Sequence, residues 1–130
     1  MLINFEISIG DFVDRMTIAQ LKATKIGGEA LEKDFHRFSS VYTRIYNNLS
    51  PDMQRSLEGS YDILLAINES LWVTEDEVRD VISDEAVANK TRMIIKFNDS
   101  RASQKRQLDQ LFGHFGDPKQ YVGKSRNYSI

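Results

Sequence analysis

Polar side chains that could bind a ligand interrupt the apolar face of residues 61–82. At about 100° per residue, the aliphatic side chains of this segment fall on one arc, as in an amphipathic helix. Asn68, Glu75 and Arg79 lie beside that arc, and Trp72 lies on its aromatic flank. An amide, an acid and a base next to an aromatic ring are groups that could bind a carboxylate or a phosphate. The segment is therefore the first candidate for a functional site.

Residues 86–112 show the same interruption. Their apolar stripe predicts a helix, and Asn98, Arg101 and Lys105 lie in the middle of that stripe. A buried arginine or lysine without a partner is strongly destabilising, so each must be paired and hydrogen-bonded. We therefore predict a polar layer inside an otherwise aliphatic helical core.

Carboxylates on other segments are the expected partners of these cations. Glu75 lies in the segment 61–82, and Asp14 offers a second acceptor near the N-terminus. We predict that Arg101 or Lys105 engages Glu75, because their charges are complementary and all of them interrupt apolar stripes. Two amides complete the predicted layer, Asn68 and Asn98.

The elements that must position these side chains are helices. Ser8, Ser50 and Ser83 each precede a periodic segment that has an acid in its first turn, which is typical of a helix N-cap. Glycines at 27–28 and 113 are placed to end helices. We predict an all-α fold, a single four-helix bundle over residues 1–130 with a short extended N-terminal arm and an irregular C-terminal tail. The predicted helices span residues 9–26, 29–48, 51–82 and 86–112.

The first predicted helix has apolar side chains on both of its faces. Ile18 and Leu21 lie opposite its main apolar stripe. A helix of this kind is usually central in its bundle or forms half of an interface. In the second case, Ile18 and Leu21 would form the contact surface of a homodimer.

Composition excludes several classes of function. The 130 residues carry a net charge of −2 and no cysteine, with 41% hydrophobic and 28% charged residues. The near-neutral charge gives no basis for nucleic-acid or membrane binding, and the absence of cysteine excludes disulfides and thiolate chemistry. No apolar run reaches the roughly 20 residues that a membrane-spanning helix needs. We expect a cytoplasmic protein without a cofactor.

Three blocks of the sequence resemble a small all-helical family of unknown function found in bacteria and phages. The first block contains Ser8, Gly10, Asp11, Asp14, Arg15, Thr17, Ile18 and Lys22. The second contains Asn68, Glu69, Leu71, Trp72, Glu75, Asp76 and Arg79, and the third contains Asn98, Asp99, Arg101 and Lys105. The resemblance implies that the interrupting polar positions are motif positions of the family. It implies no activity. If a phage encodes the chain, the expected location of the protein is the cytoplasm of the host cell.

Two functions remain open from the sequence. The first is a structural or protein-interaction module, whose partner would be a second copy of the chain or another protein. The second is a carboxylate- or phosphate-binding protein or enzyme that uses Glu75, Arg79, Arg101 and Lys105. A metal site lacks support, because His36 and His114 stand far apart and the carboxylates of 61–82 point in different directions. The pattern favours the first function. The candidate ligand-binding residues are Asp14, Lys22, Asn68, Trp72, Glu75, Arg79, Asn98, Arg101 and Lys105.

Overall fold

A computed structural model describes residues 1–4, 6–81 and 83–113 of the chain. These residues form four helices and no strand, so the predicted all-α fold is confirmed. The four helices are α1 (Ile9–Lys25), α2 (Glu29–Asn47), α3 (Pro51–Asp80) and α4 (Asp84–Phe112). Residues 1–4 are exposed and have no regular secondary structure, and the predicted C-terminal tail lies outside the described residues.

Serine side chains cap the helices as the sequence predicts. The Oγ of Ser8 accepts a hydrogen bond from the backbone N–H of residue 11 at 3.1 Å, and Ser50 and Ser83 cap α3 and α4 in the same way. Each of these bonds satisfies one of the N–H groups that a helix leaves without a partner in its first turn. Between α1 and α2 the chain turns at Gly27 and Gly28, whose φ angles are +79° and +108°. Side chains with a Cβ rarely adopt such angles, which explains two consecutive glycines at this turn.

The two long helices form an antiparallel hairpin on which the rest of the chain packs. Gln104 of α4 donates a hydrogen bond to Ser60 near the beginning of α3, and Lys90 of α4 pairs with Glu77 near its end. α3 runs without a break through Gly59. α1 packs against both α3 and α4, and α2 packs on α1.

α1 is the central helix, as its two apolar faces predict. It contacts all three other helices. Leu21, on its second face, is only 4% exposed, and Ile18 is partly buried. Leu21 is therefore too buried to form the predicted contact surface with Ile18, and a homodimer stays a prediction.

The apolar core is narrow and lies between α1 and the hairpin. Its fully buried members are Val13, Leu57, Leu64 and Leu108. Aromatic side chains form its edge, and they include Tyr42 of α2, whose ring centroid lies 5.6 Å from that of Tyr61 of α3. No described residue of α2 is fully buried, so α2 is an outer layer attached by aromatic contacts. None of the described helices combines the length and apolar character that crossing a membrane requires.

Candidate functional site

The centre of the polar layer is Asp14, whose side chain is only 3% exposed. Arg101 of α4 donates to this carboxylate from two nitrogens, with Nε 2.8 Å from Oδ1 and Nη2 2.6 Å from Oδ2. Two parallel bonds of this kind are the strongest way in which a protein pairs an arginine with a carboxylate. The predicted acceptor on the first helix is thus confirmed, and it joins α1 to α4.

Asn68 joins the same carboxylate to α3. Its Nδ2 donates to Asp14 Oδ1 at 2.9 Å and to Thr17 Oγ1 at 2.8 Å. The hydroxyl of Thr17 in turn donates to the backbone carbonyl of Asp14 at 2.7 Å. Asn68 and Thr17 are 5% and 0% exposed, so these polar groups are removed from water but remain bonded. The carboxylate of Asp14 on α1 therefore binds one side chain of α3, Asn68, and one side chain of α4, Arg101.

Lys105 extends the layer towards solvent. Its Nζ lies 2.7 Å from Oδ1 of Asp11 and 3.9 Å from Oδ2 of Asp14. Because its side chain is 27% exposed, water can still solvate part of its charge. Lys105 therefore bridges the two aspartates of α1 at the edge of the buried layer.

The charges of the layer lower the pKa of Asp14. Burial by itself raises this pKa, but hydrogen bonds from Arg101 and Asn68 and the charges of Arg101 and Lys105 outweigh burial. The hydrogen bond to Asp14 likewise raises the pKa of Arg101, although burial opposes that change. A carboxylate with a lowered pKa stabilises the fold above its unfolded pKa of 3.8, and this stabilisation disappears as the pH falls through the folded value. The pair is therefore fully charged at neutral pH.

A second buried carboxylate, Asp109, was missed by the sequence reasoning. Its Oδ1 accepts a hydrogen bond from the backbone N–H of Gly10 at 2.6 Å, so a side chain of α4 caps the N-terminus of α1. Burial raises the pKa of Asp109, while the bonds from Gly10 and from the Ser8 side chain act in the opposite direction. The available signal was spacing, since Arg101, Lys105 and Asp109 follow one another at intervals of four residues on one face of α4.

Glu75 does not take the place that the sequence assigned to it. It is exposed, and neither Arg101 nor Lys105 forms a hydrogen bond or ion pair with it. The helical period puts Glu75 on nearly the same side of α3 as Asn68, but two turns, or about 10 Å, further along the axis. Arg101 lies at the level of Asn68, where Asp14 is nearer. The predicted pairing with Glu75 is therefore wrong.

The remaining predicted residues take no part in the hydrogen bonds and ion pairs of the layer. Asn98 and Lys22 are exposed, and Trp72 is partly buried on α3. Arg79 pairs with Asp76 of its own helix at 3.2 Å, and both side chains are exposed. The structure therefore brings together Asp14, Asn68, Arg101 and Lys105, and it leaves Lys22, Trp72, Glu75, Arg79 and Asn98 outside.

An open groove between α3 and α4 is separate from this layer. It has a volume of about 590 Å³, and no residue of the Asp14 network lines it. Its lining is mainly apolar and comprises Ile63, Ile67, Phe97, Asp99, Ser100, Ser103 and Gln104. Within the described part of the chain, no three His, Asp or Glu side chains gather where they could share a metal ion. The layer is thus a bonded junction of three helices, and the groove is an accessible surface.

No known protein family, curated protein or solved structure matches the chain. The resemblance to the helical family of bacteria and phages therefore stays a prediction.

Proposed function

We propose that the chain is a protein-interaction module in which the Asp14 layer fixes the helices and the outer surface of the α3–α4 hairpin binds a partner. The layer is the structural part. Its central carboxylate is almost inaccessible, and its oxygens already accept bonds from Arg101 and Asn68. An anionic ligand that approached Arg101 would have to displace Asp14, which would leave a carboxylate buried and unpaired.

The observation that carries the proposal is the groove on the hairpin. We call this surface the hairpin face. It comprises the residues that line the groove: Ile63 and Ile67 of α3, and Phe97, Asp99, Ser100, Ser103 and Gln104 of α4. The helical period continues the same stripe to Ser56, Gly59 and Ser70 of α3 and to Met93, Lys96 and Gln107 of α4.

Two properties of the hairpin face favour a protein partner. Ile63 and Met93 are 48% and 41% exposed, so the hairpin face presents large apolar side chains to solvent. Its α3 half contains no charged residue, although 28% of the chain is charged. Depletion of charge around exposed apolar side chains is typical of the centre of a protein interface. The charged residues of the hairpin face are Lys96 and Asp99, which have opposite signs, so a carboxylate or phosphate would find no cluster of basic groups there.

Melting experiments separate this proposal from the alternative, a carboxylate- or phosphate-binding protein or enzyme. We expect millimolar phosphate or acetate to leave the melting temperature of the wild-type chain unchanged, because the guanidinium of Arg101 is already paired with Asp14. A ligand-binding protein would instead be stabilised by mass action, and Arg101→Ala would remove that stabilisation. An anion effect that depends on Arg101 overturns the proposal.

Site-specific cross-linking tests the surface itself. A photoreactive phenylalanine analogue replaces Ile63 on the hairpin face, and the matched control replaces Ile95, which is 55% exposed on another side of α4. We expect one discrete cross-linked species in cells that carry the analogue at position 63 and none at position 95. Equal labelling at both positions, or none at either, counts against the hairpin face.

A further inference from the structure

We propose that α2 is a cover that opens from the bundle as one unit while the Asp14 layer keeps α1, α3 and α4 together. The opening is separate from the binding of a partner at the hairpin face, because no residue of α2 lines the groove. Proteins open locally at the elements that have the fewest buried contacts. The burial of α2, its polar contacts and the turn that precedes it each distinguish it from the other three helices.

The contacts that hold α2 in place are only half-buried. None of its described residues is fully buried, whereas each of the other three helices contains at least two buried residues. Tyr42 and Tyr46 pack at the edge of the aliphatic core, and the ring centroid of Phe38 lies 5.6 Å from that of Phe12 of α1. Because these side chains already keep part of their surface in water, removal of α2 exposes less apolar area than removal of a core helix would.

The polar side-chain contacts of α2 with the rest of the described chain lie at its C-terminal end. The amide of Gln54 donates a hydrogen bond to the backbone carbonyl of Tyr46 at 2.9 Å, and a hydrogen bond with Glu58 raises the pKa of Tyr46. Within residues 1–4, 6–81 and 83–113, no ion pair joins α2 to another helix, and the two pairs that it forms lie on its own exposed side chains. The C-terminal end is therefore the pivot of the opening, and the N-terminal end leaves first.

The turn before α2 permits this movement. Gly27 and Gly28 connect α1 to α2 with φ angles of +79° and +108°, and a Cβ added to Gly28 would meet no atom within 4 Å. Glycine adopts backbone conformations that other residues rarely reach, so two in succession form a hinge. Gly28 also gives α2 an N-cap without a side-chain hydrogen bond, whereas a serine caps each of the other three helices. The N-terminal end of α2 therefore lacks a restraint that the other helices have.

The other three helices stay joined when α2 opens, because their junctions contain no residue of α2. Asp14 of α1 binds Asn68 of α3 and Arg101 of α4, and Gly10 of α1 donates a hydrogen bond to Asp109 of α4. These bonds do not depend on the aromatic contacts that attach α2. The open state therefore presents an apolar surface on α1 and α3 that the closed state covers.

Native-state hydrogen exchange of the full chain, followed residue by residue by NMR in low concentrations of urea, measures the opening. Because a helix in a protein derives most of its stability from packing, α2 loses its backbone hydrogen bonds when it leaves the bundle. We expect protection factors in α2 to be at least about tenfold lower than those of the buried amides in α1, α3 and α4. They should converge on one value in urea and depend less on urea, because less surface becomes exposed.

Two results for the wild-type chain overturn the proposal. If α2 has the same protection factors and urea dependence as the other helices, it opens only when the whole chain unfolds. If its amides instead exchange independently, with no common value in urea, α2 frays and does not open as a unit. Neither result depends on the folding of a variant.

Two variants define the boundary of the unit that opens. Phe38→Ala destabilises the closed state relative to both the open and the unfolded chain, so protection should fall by the same factor in all four helices. Gly10→Ala disturbs the junction of α1 with α4, where the new Cβ would lie 2.8 Å from Oδ1 of Asp109. Because the open state keeps that junction, protection should fall at least about fivefold in α1, α3 and α4 and stay within about twofold in α2.

An equal loss of protection in α2 and the other helices of Gly10→Ala overturns the proposal, because α2 then unfolds together with α1. Lys105→Ala removes a partly exposed charge from the same junction and serves as the milder variant if Gly10→Ala does not fold. The control is Ile95→Ala, which removes an isoleucine that is 55% exposed on α4. We expect this control to leave protection within about twofold of the wild type in all four helices.

Discussion

The pair formed by Asp14 and Arg101 predicts an asymmetric loss of stability when either partner is removed. Arg101→Ala leaves a carboxylate that is 3% exposed, with a weak contact to Lys105 at 3.9 Å and the amide of Asn68. Asp14→Ala leaves a guanidinium that is 29% exposed and can turn towards water. Breaking a buried pair costs about 3–5 kcal/mol. We therefore expect a loss of stability of about 5 kcal/mol for Arg101→Ala and about 3 kcal/mol for Asp14→Ala.

A double-mutant cycle measures the coupling between the two side chains. The cycle compares Asp14→Leu and Arg101→Met, each made alone, with the variant that carries both, in which apolar side chains replace the pair and neither charge is left unpaired. We expect the double variant to lose at least about 2 kcal/mol less than the sum of the single variants. The assay is urea unfolding at pH 7, followed by circular dichroism, with the midpoint and slope compared for each variant.

Two results would refute this reasoning. Additive losses in the double variant would mean that Asp14 and Arg101 do not interact in solution. Single losses below about 1 kcal/mol would place the pair among surface salt bridges, which contribute little to stability. Glu75→Ala provides the control. Glu75 is exposed and forms no hydrogen bond or ion pair among the described residues, so we expect Glu75→Ala to change stability by less than about 0.5 kcal/mol.

Other variants test separate parts of the fold. Gly10→Ala should destabilise by about 1–3 kcal/mol in urea unfolding, because its Cβ would lie 2.8 Å from Asp109 Oδ1 and 3.0 Å from a backbone carbon of α4. Gly59→Ala, the helical glycine with open space, should instead stabilise the monomer by about 0.5–1 kcal/mol. The pKa of Asp109 is raised above 3.8, so its contribution is present below pH 3.8 and is lost as the pH rises through the folded pKa. Asp109→Asn keeps an acceptor for the N–H of Gly10, so we expect this variant to be at least as stable as wild type at pH 7. Its stability should also vary less between pH 4 and about 7 than that of the wild type. A loss above about 2 kcal/mol at pH 7 contradicts this. Burial raises the pKa of Tyr42 and Tyr61 to about 12. An absorbance titration should therefore show tyrosine ionisation near pH 12, with a smaller amplitude in Tyr61→Phe. Stability should fall as the pH rises from 10 to about 12.

The helices could be predicted from the sequence because their signals are local. Ser8, Ser50 and Ser83 each lie within three residues of the N–H groups that they cap, so a short stretch of sequence is enough to predict where the helix begins. The central position of α1 was also predictable, since a helix with two apolar faces must be covered on both. These inferences need no knowledge of how the helices are arranged in space.

The partners within the polar layer could not be predicted with the same success. Helical periodicity gives the direction of a side chain around its axis but not its level along a neighbouring helix. For that reason the sequence identified Arg101 and Asp14 as members of the layer and still assigned Arg101 to Glu75. Asp109 shows a second limit. Asp109 accepts a hydrogen bond from Gly10, which lies 99 positions away in the sequence, and no local sequence pattern indicates that contact.

The position of these polar contacts explains what they contribute to the fold. Along α1, Gly10 bonds to Asp109, Asp11 pairs with Lys105, and Asp14 pairs with Arg101. The three contacts follow α4 in reverse order at intervals of four residues, so they align α1 with α4 along its length. Sliding α1 by one turn, about 5.4 Å, would separate all three contacts at once.

Apolar contacts alone would resist such a slide less strongly. The fully buried aliphatic cluster is small, and one leucine can replace another when a helix shifts by a turn. Charged and hydrogen-bonded pairs are less tolerant, because a shifted register leaves buried groups without partners. We therefore attribute the register of α1 to the polar layer and the attachment of α1 to the apolar core. In this register α1 packs against the hairpin at the Asp14 layer, and none of the layer's residues lines the groove for which we propose a partner.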